Sequence, residues 1–226
     1  ITSIKNILSH PPTWINCFFI GLLYGPTAVF AGMWGVSFIH HAYHTSDVVA
    51  ASEMGMVFIG LAIGCPIMGS FSNYIKKRIV VMRFSALMSL IMLTAIIYGH
   101  DYLVNLTGLT LLLHCMLFLY GFFNSGIIPS YALAAEINDK HYSGTALGLT
   151  NMASVCLGAI FIPIIGYLVG YYSHTSSHNP NAILSVYAFD HAFLLLPICL
   201  LLAFALTFWI KETHCKNIFH KRSHHA

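Results

Sequence analysis

The chain has 226 residues, 58% of them hydrophobic and only 8% charged, against roughly 25% charged in a soluble domain of ordinary composition. So little charge cannot cover a water-facing globule, and a net charge of +3 makes no footprint for nucleic acid, which is excluded as a partner. Apolar runs recur along the whole length, each long enough at about 1.5 Å per residue to cross about 30 Å of hydrocarbon. They exclude a single cleaved targeting segment and make the lipid bilayer the expected solvent.

The chain opens on Ile1 without an initiator Met. It is therefore expected to be a fragment, a half-protein or a truncated reading frame, with residues 1–13 a short leader. The first predicted span, Trp14 to Ile39, carries Asn16, Tyr24 and Thr27 around a turn broken by Pro26. The second, Val49 to Tyr74, runs into GSFSNYIKKR, where three cations stand side by side. Ile79 to Gly99 forms the third, followed by a short polar link, His100 to Asn105. Asn105-Leu106-Thr107 in that region is an acceptor sequence for sugar.

Leu106 to Ala135 is the fourth span. On it His114, Phe118, Gly121 and Ser125 recur at helical spacing, with Tyr120 and Asn124 on a neighbouring stripe. The fifth, Gly144 to Tyr171, carries Asn151 and Ser154. The link around HTSSHNPN leads to the sixth, Tyr187 to Ile210, and residues 211–226 form a tail. The runs are too long and continuous for barrel strands, so the fold class is all-α, a bundle of six transmembrane helices.

With six spans, all ten Lys and Arg residues fall on one side, and the other side carries Asp47, Asp101, Asp190 and many His. Cationic loops stay in the cytoplasm, so both termini are expected inside. Gly21/Gly25, Gly60/Gly64, Gly144/Gly148 and Gly166/Gly170 stand four apart and suggest close helix contacts. Pro26, Pro66, Pro129, Pro163 and Pro197 lie inside five of the spans and are expected to bend them.

Gly69, then Asn73 four residues later, then Lys77 and Arg78, resembles the signature turn of the major facilitator superfamily, G-x-x-x-D-x-x-x-R/K-R/K, with Asn73 in the aspartate position. PTAVFAGMWGVSF, MGMVFIGLAIGCPIMGSFS, PSYALAAEI and HYSGTALGLTNMASVCLGAIFIPIIGYLVG also look like its carboxy-terminal six-helix half. WGVSF and EINDKHYSGTALG look closest to bacterial organic-solute permeases, which implies a bacterial inner membrane, and resemble more loosely dipeptide carriers of lysosome-associated type. The resemblance implies a cytoplasmic gate built from Gly69, Asn73, Lys77, Arg78 and Glu136. Asn73 would face the backbone donors near Ser143, Gly144 and Thr145, and Arg78 would pair with Glu136.

Polar groups are costly in hydrocarbon, and the superfamily lines its cavity from the first, second, fourth and fifth helices of each half. Tyr24, His114, Tyr120, Asn124 and Asn151 are accordingly the expected hydrogen-bonding wall for a small organic solute. His114 is the candidate for a coupled proton, because imidazole changes charge near neutral pH. Glu53 and Asp190 read as lying near the outer ends of their spans.

The implied mechanism is alternating access, with an amino-terminal six-helix half or a second copy as partner. A non-transporting sensor or assembly protein on the same fold, or a non-functional fragment, is the alternative. No cofactor and no metal are expected, since His40, His41 and His44 match a tetrahedral site only loosely. The six cysteines are scattered without a CxxC pair, and no enzyme motif is present.

Overall fold

The computed structural model describes residues 7–106, 108–176 and 185–219, and the side chains of 174–176 are not among those described. Lys5, Thr107, His178, Lys221, Arg222, His224 and His225 therefore lie outside the described residues, as does most of the HTSSHNPN link.

Among the described residues, six helices are long and apolar enough to cross a membrane: α1 (Pro11–Tyr43), α2 (Asp47–Ile75), α3 (Arg78–Tyr98), α4 (Leu109–Ile137), α5 (Lys140–Ser173) and α6 (Val186–Leu206). The predicted ends differ from these by at most four residues, as at Ile39 against Tyr43 and Ile210 against Leu206. A short helical turn, His100–Leu103, joins α3 to α4. The chain is an all-α, six-span membrane domain, and α1 packs on α5, α4 and α6, while α2 packs on α4.

Hydrophobicity alone does not decide what faces inward, because lipid is as apolar as a core. Phe58, Ile59, Ile63 and Ile67 of α2 are exposed, whereas Phe19, Phe30, Phe38, Phe189 and Phe193 are fully buried. The last four form one ring cluster, with Phe30 and Phe38 at 5.8 and 5.3 Å from Phe193 and Phe189 at 5.4 Å from it.

Two of the five prolines mark where helices break, while α2 and α5 run on without interruption through Pro66 and Pro163. A proline removes the N–H that would reach the carbonyl four residues back. Pro129 stands four residues after Ser125, where α4 is interrupted between Asn124 and Ile127, and Pro197 stands four after Phe193, where α6 is interrupted between Ala192 and Leu195. In α1, Pro26 is followed by a π-helical stretch, Phe30–Trp34.

Small residues set the tightest contact. A Cβ on Gly64 would lie 2.6 Å from the Phe122 backbone oxygen, and one on Gly60 or Gly121 would fall on the carbonyl oxygens of Phe118 and Val57. A Cβ on Gly21 would likewise fall 2.8 Å from the Ala153 carbonyl oxygen of α5 and one on Gly25 would lie 3.3 Å from the Phe161 ring, whereas Gly144, Gly148 and Gly170 face open space. The glycine pairs of α1 and α2 thus serve packing inside this domain. The Gly144/Gly148 pair does not.

A polar ladder joins α1 to α4. Thr13 donates to Asn138 at 3.1 Å, Asn16 and Ser130 exchange two hydrogen bonds at 2.8 and 3.1 Å, Asn124 donates to the Leu23 carbonyl at 2.9 Å, and Thr27 and Tyr120 share one at 2.8 Å. Asn16→Leu should therefore destabilise the chain by about 1–2 kcal/mol, given interhelical bonds that average about 0.6 and reach about 1.7. The check is the unfolding temperature in detergent, read by a thiol-reactive dye as buried Cys17 and Cys199 become accessible. An unshifted midpoint would mean that the ladder carries no stability.

Candidate functional site

At one end of the bundle the turn between α2 and α3 is closed by charge. Lys76 takes a left-handed conformation (φ 52°) that ends α2, and Arg78 starts α3 with its side chain 7% exposed. Its guanidinium donates to Glu136 from Nη2 at 2.8 Å and from Nε at 3.2 Å, and Nη1 donates to Ser72 Oγ at 3.1 Å and Asn73 Oδ1 at 2.7 Å. The ion pair expected between Arg78 and Glu136 is present.

The expected partner of Asn73 is different. Its oxygen accepts from Arg78, and no hydrogen bond among the described residues joins it to Ser143, Gly144 or Thr145. The start of α5 is instead preceded by Asp139, which accepts from His141 N at 3.0 Å. Asn73 is a neutral amide, so it solvates the guanidinium beside it and brings no charge to a distant helix end. A Cβ on Gly69 would lie 3.0 Å from Cγ2 of Ile128, and Lys77 is exposed.

Glu212 was not singled out from the sequence. It lies just past α6, in a segment that folds back across this end, and accepts from the backbone N–H groups of Arg78 and Ile79 at 2.8 and 2.9 Å. These are the orphan donors of the α3 start, where a carboxylate also complements the helix dipole. The same segment supplies Thr213, whose hydroxyl donates to Glu136, and Asn217, which donates to the carbonyls of Ala135 and Asn138. Ile218 N donates to the Glu136 carbonyl at 2.9 Å. An acid directly after Lys211, in a stretch otherwise free of acids, was the available signal. Arg83, about a turn and a half into α3, holds Thr207 at 3.1 Å and lies over the Phe208 ring at 4.1 Å.

The five residues expected to form the solute wall separate into three environments. Tyr120 and Asn124 are fully buried in the ladder between α1 and α4. His114 lies between α2 and α4, where its Nδ1 is 2.7 Å from the Thr110 carbonyl and 3.8 Å from Oε1 of Glu53. Asn151 is exposed on α5 and accepts from the Tyr131 hydroxyl at 2.9 Å, and Tyr24 is half-buried on α1.

The structure thus joins Asn151 to Tyr131 of α4, a residue not singled out from the sequence. The stripe of His114, Phe118, Gly121 and Ser125 turns toward α2, so its spacing reports a helix contact. A groove of about 640 Å³ between α1 and α5 has a nearly all-apolar lining that includes Trp14, Phe18, Leu149 and Met152 and none of the five.

At the opposite end His40 pairs with Asp47 at 3.2 Å, and His100 lies 3.5 Å from Asp101 and 4.0 Å from Asp190. Among the described residues no group of three or more His, Cys, Asp or Glu is placed to hold a metal ion.

Comparison with known proteins agrees with this architecture. Over 96% of the chain the fold matches the xylose transporter XylE from E. coli in its partially occluded inward-open conformation, with a TM-score of 0.72, 17% identity and 55% of that chain covered. The inward-open conformation of the same transporter gives 0.68, 18% identity and 96% and 50% coverage. A structure of the proton:xylose symporter XylE bound to 6-bromo-6-deoxy-D-glucose gives 0.66, 20% identity and 93% and 46% coverage. The chain spans about half the length of the transporter structures it matches. No curated protein matches it significantly. A sequence profile of the Major Facilitator Superfamily matches residues 1–163, most of a six-span domain built as one half of that twelve-span fold, and the chain belongs to this superfamily.

Proposed function

We propose that this chain supplies the carboxy-terminal half of a secondary transporter that moves a small, uncharged organic solute by alternating access. The cationic end lies in the cytoplasm of a bacterial inner membrane, consistent with every described Lys and Arg standing at that end. An amino-terminal six-helix half or a second copy covers the exposed faces of α2 and α5 and completes the cavity.

The observation that carries the reading is Asn151. It stands eleven residues past Lys140, roughly 16 Å along the helix and so near mid-bilayer, and it is exposed. A carboxamide facing hydrocarbon there costs several kcal/mol. The face therefore meets a polar cavity, with Tyr131 orienting the amide and Tyr24 on α1 as a further hydrogen-bonding group. Tyr120 and Asn124 hold the wall together from inside. The cations sit at one end of the bundle and not at mid-depth, which disfavours an anionic solute.

Gly69, Asn73, Lys77, Arg78 and Glu136, extended by Glu212, form the cytoplasmic gate in this reading. The charge-assisted bonds hold the turn, the end of α4 and the segment after α6 as one body that rocks as a unit.

The test is uptake of a labelled pool of neutral metabolites, with xylose as the first probe, by vesicles containing the protein in its assembled form. Flux above protein-free vesicles, cut about tenfold by Asn151→Ala through one lost hydrogen bond of about 1–1.5 kcal/mol, is expected. Solute binding without flux would replace this reading by the sensor on the same fold.

A further inference from the structure

One buried acid has no role in the gate or the wall. Glu53 lies six residues past Asp47, roughly 9 Å into α2. Its side chain is fully buried, and neither carboxylate oxygen has a hydrogen-bond partner among the described residues. A permanently ionised carboxylate there would cost several kcal/mol with nothing to offset it.

We propose that Glu53 and His114 form a proton-binding site inside the α2–α4 interface, which supplies the coupling proton of the transport reading given above and rests on that reading for its role. A carbonyl only accepts, so the 2.7 Å contact with Thr110 places a hydrogen on His114 Nδ1 and leaves Nε2 as the basic nitrogen. The 3.8 Å between Nδ1 and Oε1 is too long for a hydrogen bond and short enough for strong coupling of charge. A proton entering the pair binds either Nε2 or a carboxylate oxygen.

Access is one-sided. Below Glu53 the stripe Val57, Gly60, Gly64 meets Phe118, Gly121 and Phe122 at backbone contact, which leaves no room for water toward the cationic end. His114 is a quarter exposed and is the opening of the site.

Few other ionisable groups interfere. Tyr43 of α1 is electrostatically coupled to Glu53, but its hydroxyl donates to the Ile96 carbonyl at 2.6 Å. The π-helical stretch Phe30–Trp34 carries no titratable side chain. Beyond Tyr43 lies Asp190 of α6, next to His100 of the α3–α4 link, and His40 is paired with Asp47 at the start of α2. Arg78 of α3 and Glu136 of α4 face each other at the far end. A metal or alkali cation would need more oxygen ligands than this site offers.

The experiment is an infrared pH titration of the purified protein in lipid, following the carbonyl stretch of a protonated carboxylic acid, in sodium and in choline buffers. Glu53→Gln should remove a pH-dependent component of that band, Glu53→Asp should retain one, and His114→Gln should move its midpoint. A titration unchanged in Glu53→Gln, or a midpoint that follows sodium, overturns the site and leaves the transport reading untouched, because no solute is involved. In vesicles, acid-gradient acceleration of uptake should be lost in Glu53→Gln, and equal acceleration in both proteins overturns the coupling role. A band that titrates as expected in a protein that moves no solute supports the site and removes the transport reading.

Discussion

Arg78→Ala should lower the stability of the folded chain by about 3–5 kcal/mol, the cost of removing one partner of a buried ion pair and leaving the other charge unpaired. The side chains of Arg78 and Glu136 are 7% and 13% exposed, so water cannot replace what is lost. Among the described residues Glu136 would keep only the Thr213 hydroxyl as a side-chain donor, while Ser72 and Asn73 would lose the donor they share. Glu212 bonds the backbone of residues 78 and 79, so the segment after α6 should stay docked there but loosen around Thr213.

Two readouts separate these effects. The unfolding temperature should fall, and labelling of half-buried Cys215, which lies 3.8 Å from the Ser72 carbonyl, should become faster before any global unfolding. Arg78→Met with Glu136→Leu should recover most of the loss, because removing both charges leaves neither unpaired. A double variant as unstable as Arg78→Ala alone would show that the pair matters through something other than its buried charge.

How much of this is legible from residues alone depends on the range of each interaction. The six spans are, because each needs only its own apolar length. The Arg78–Glu136 pair is, because GSFSNYIKKR carries a superfamily pattern that names its partner. Glu212 is not, since its role comes from a chain reversal after α6 and two backbone donors more than 130 residues away.

The stripe of His114, Phe118, Gly121 and Ser125 shows the opposite case. Helical spacing identifies the shared face correctly but cannot say whether a cavity or another helix lies against it. The matching stripe Glu53, Val57, Gly60 and Gly64 on α2 holds the answer, with the same recurrence and small residues, Gly60 and Gly64, set against Gly121 and Ser125. Position near the outer end of its span hides Glu53, because depth along a helix does not report burial.

Gly121→Val is the sharpest test of that α2–α4 contact, with an expected loss of about 3 kcal/mol or more. Glycine inside a helix costs about 1 kcal/mol relative to alanine, so a side chain at an unconstrained position would raise helix stability. Here a Cβ would fall on the Val57 carbonyl oxygen. That atom belongs to the α2 backbone and cannot turn aside as a side chain would, so the two helices must separate. Val57→Ala should accordingly fail to rescue Gly121→Val, whereas it would rescue a clash between side chains. Gly148→Val supplies the contrast, since nothing lies within 4 Å of the place a Cβ would take there, and its unfolding temperature should change little. Separation at Gly121 would also admit water toward Glu53, so the acid band proposed above should broaden in the same variant. A Gly121→Val protein that unfolds at the native temperature would remove both the close contact and the dry site that depends on it.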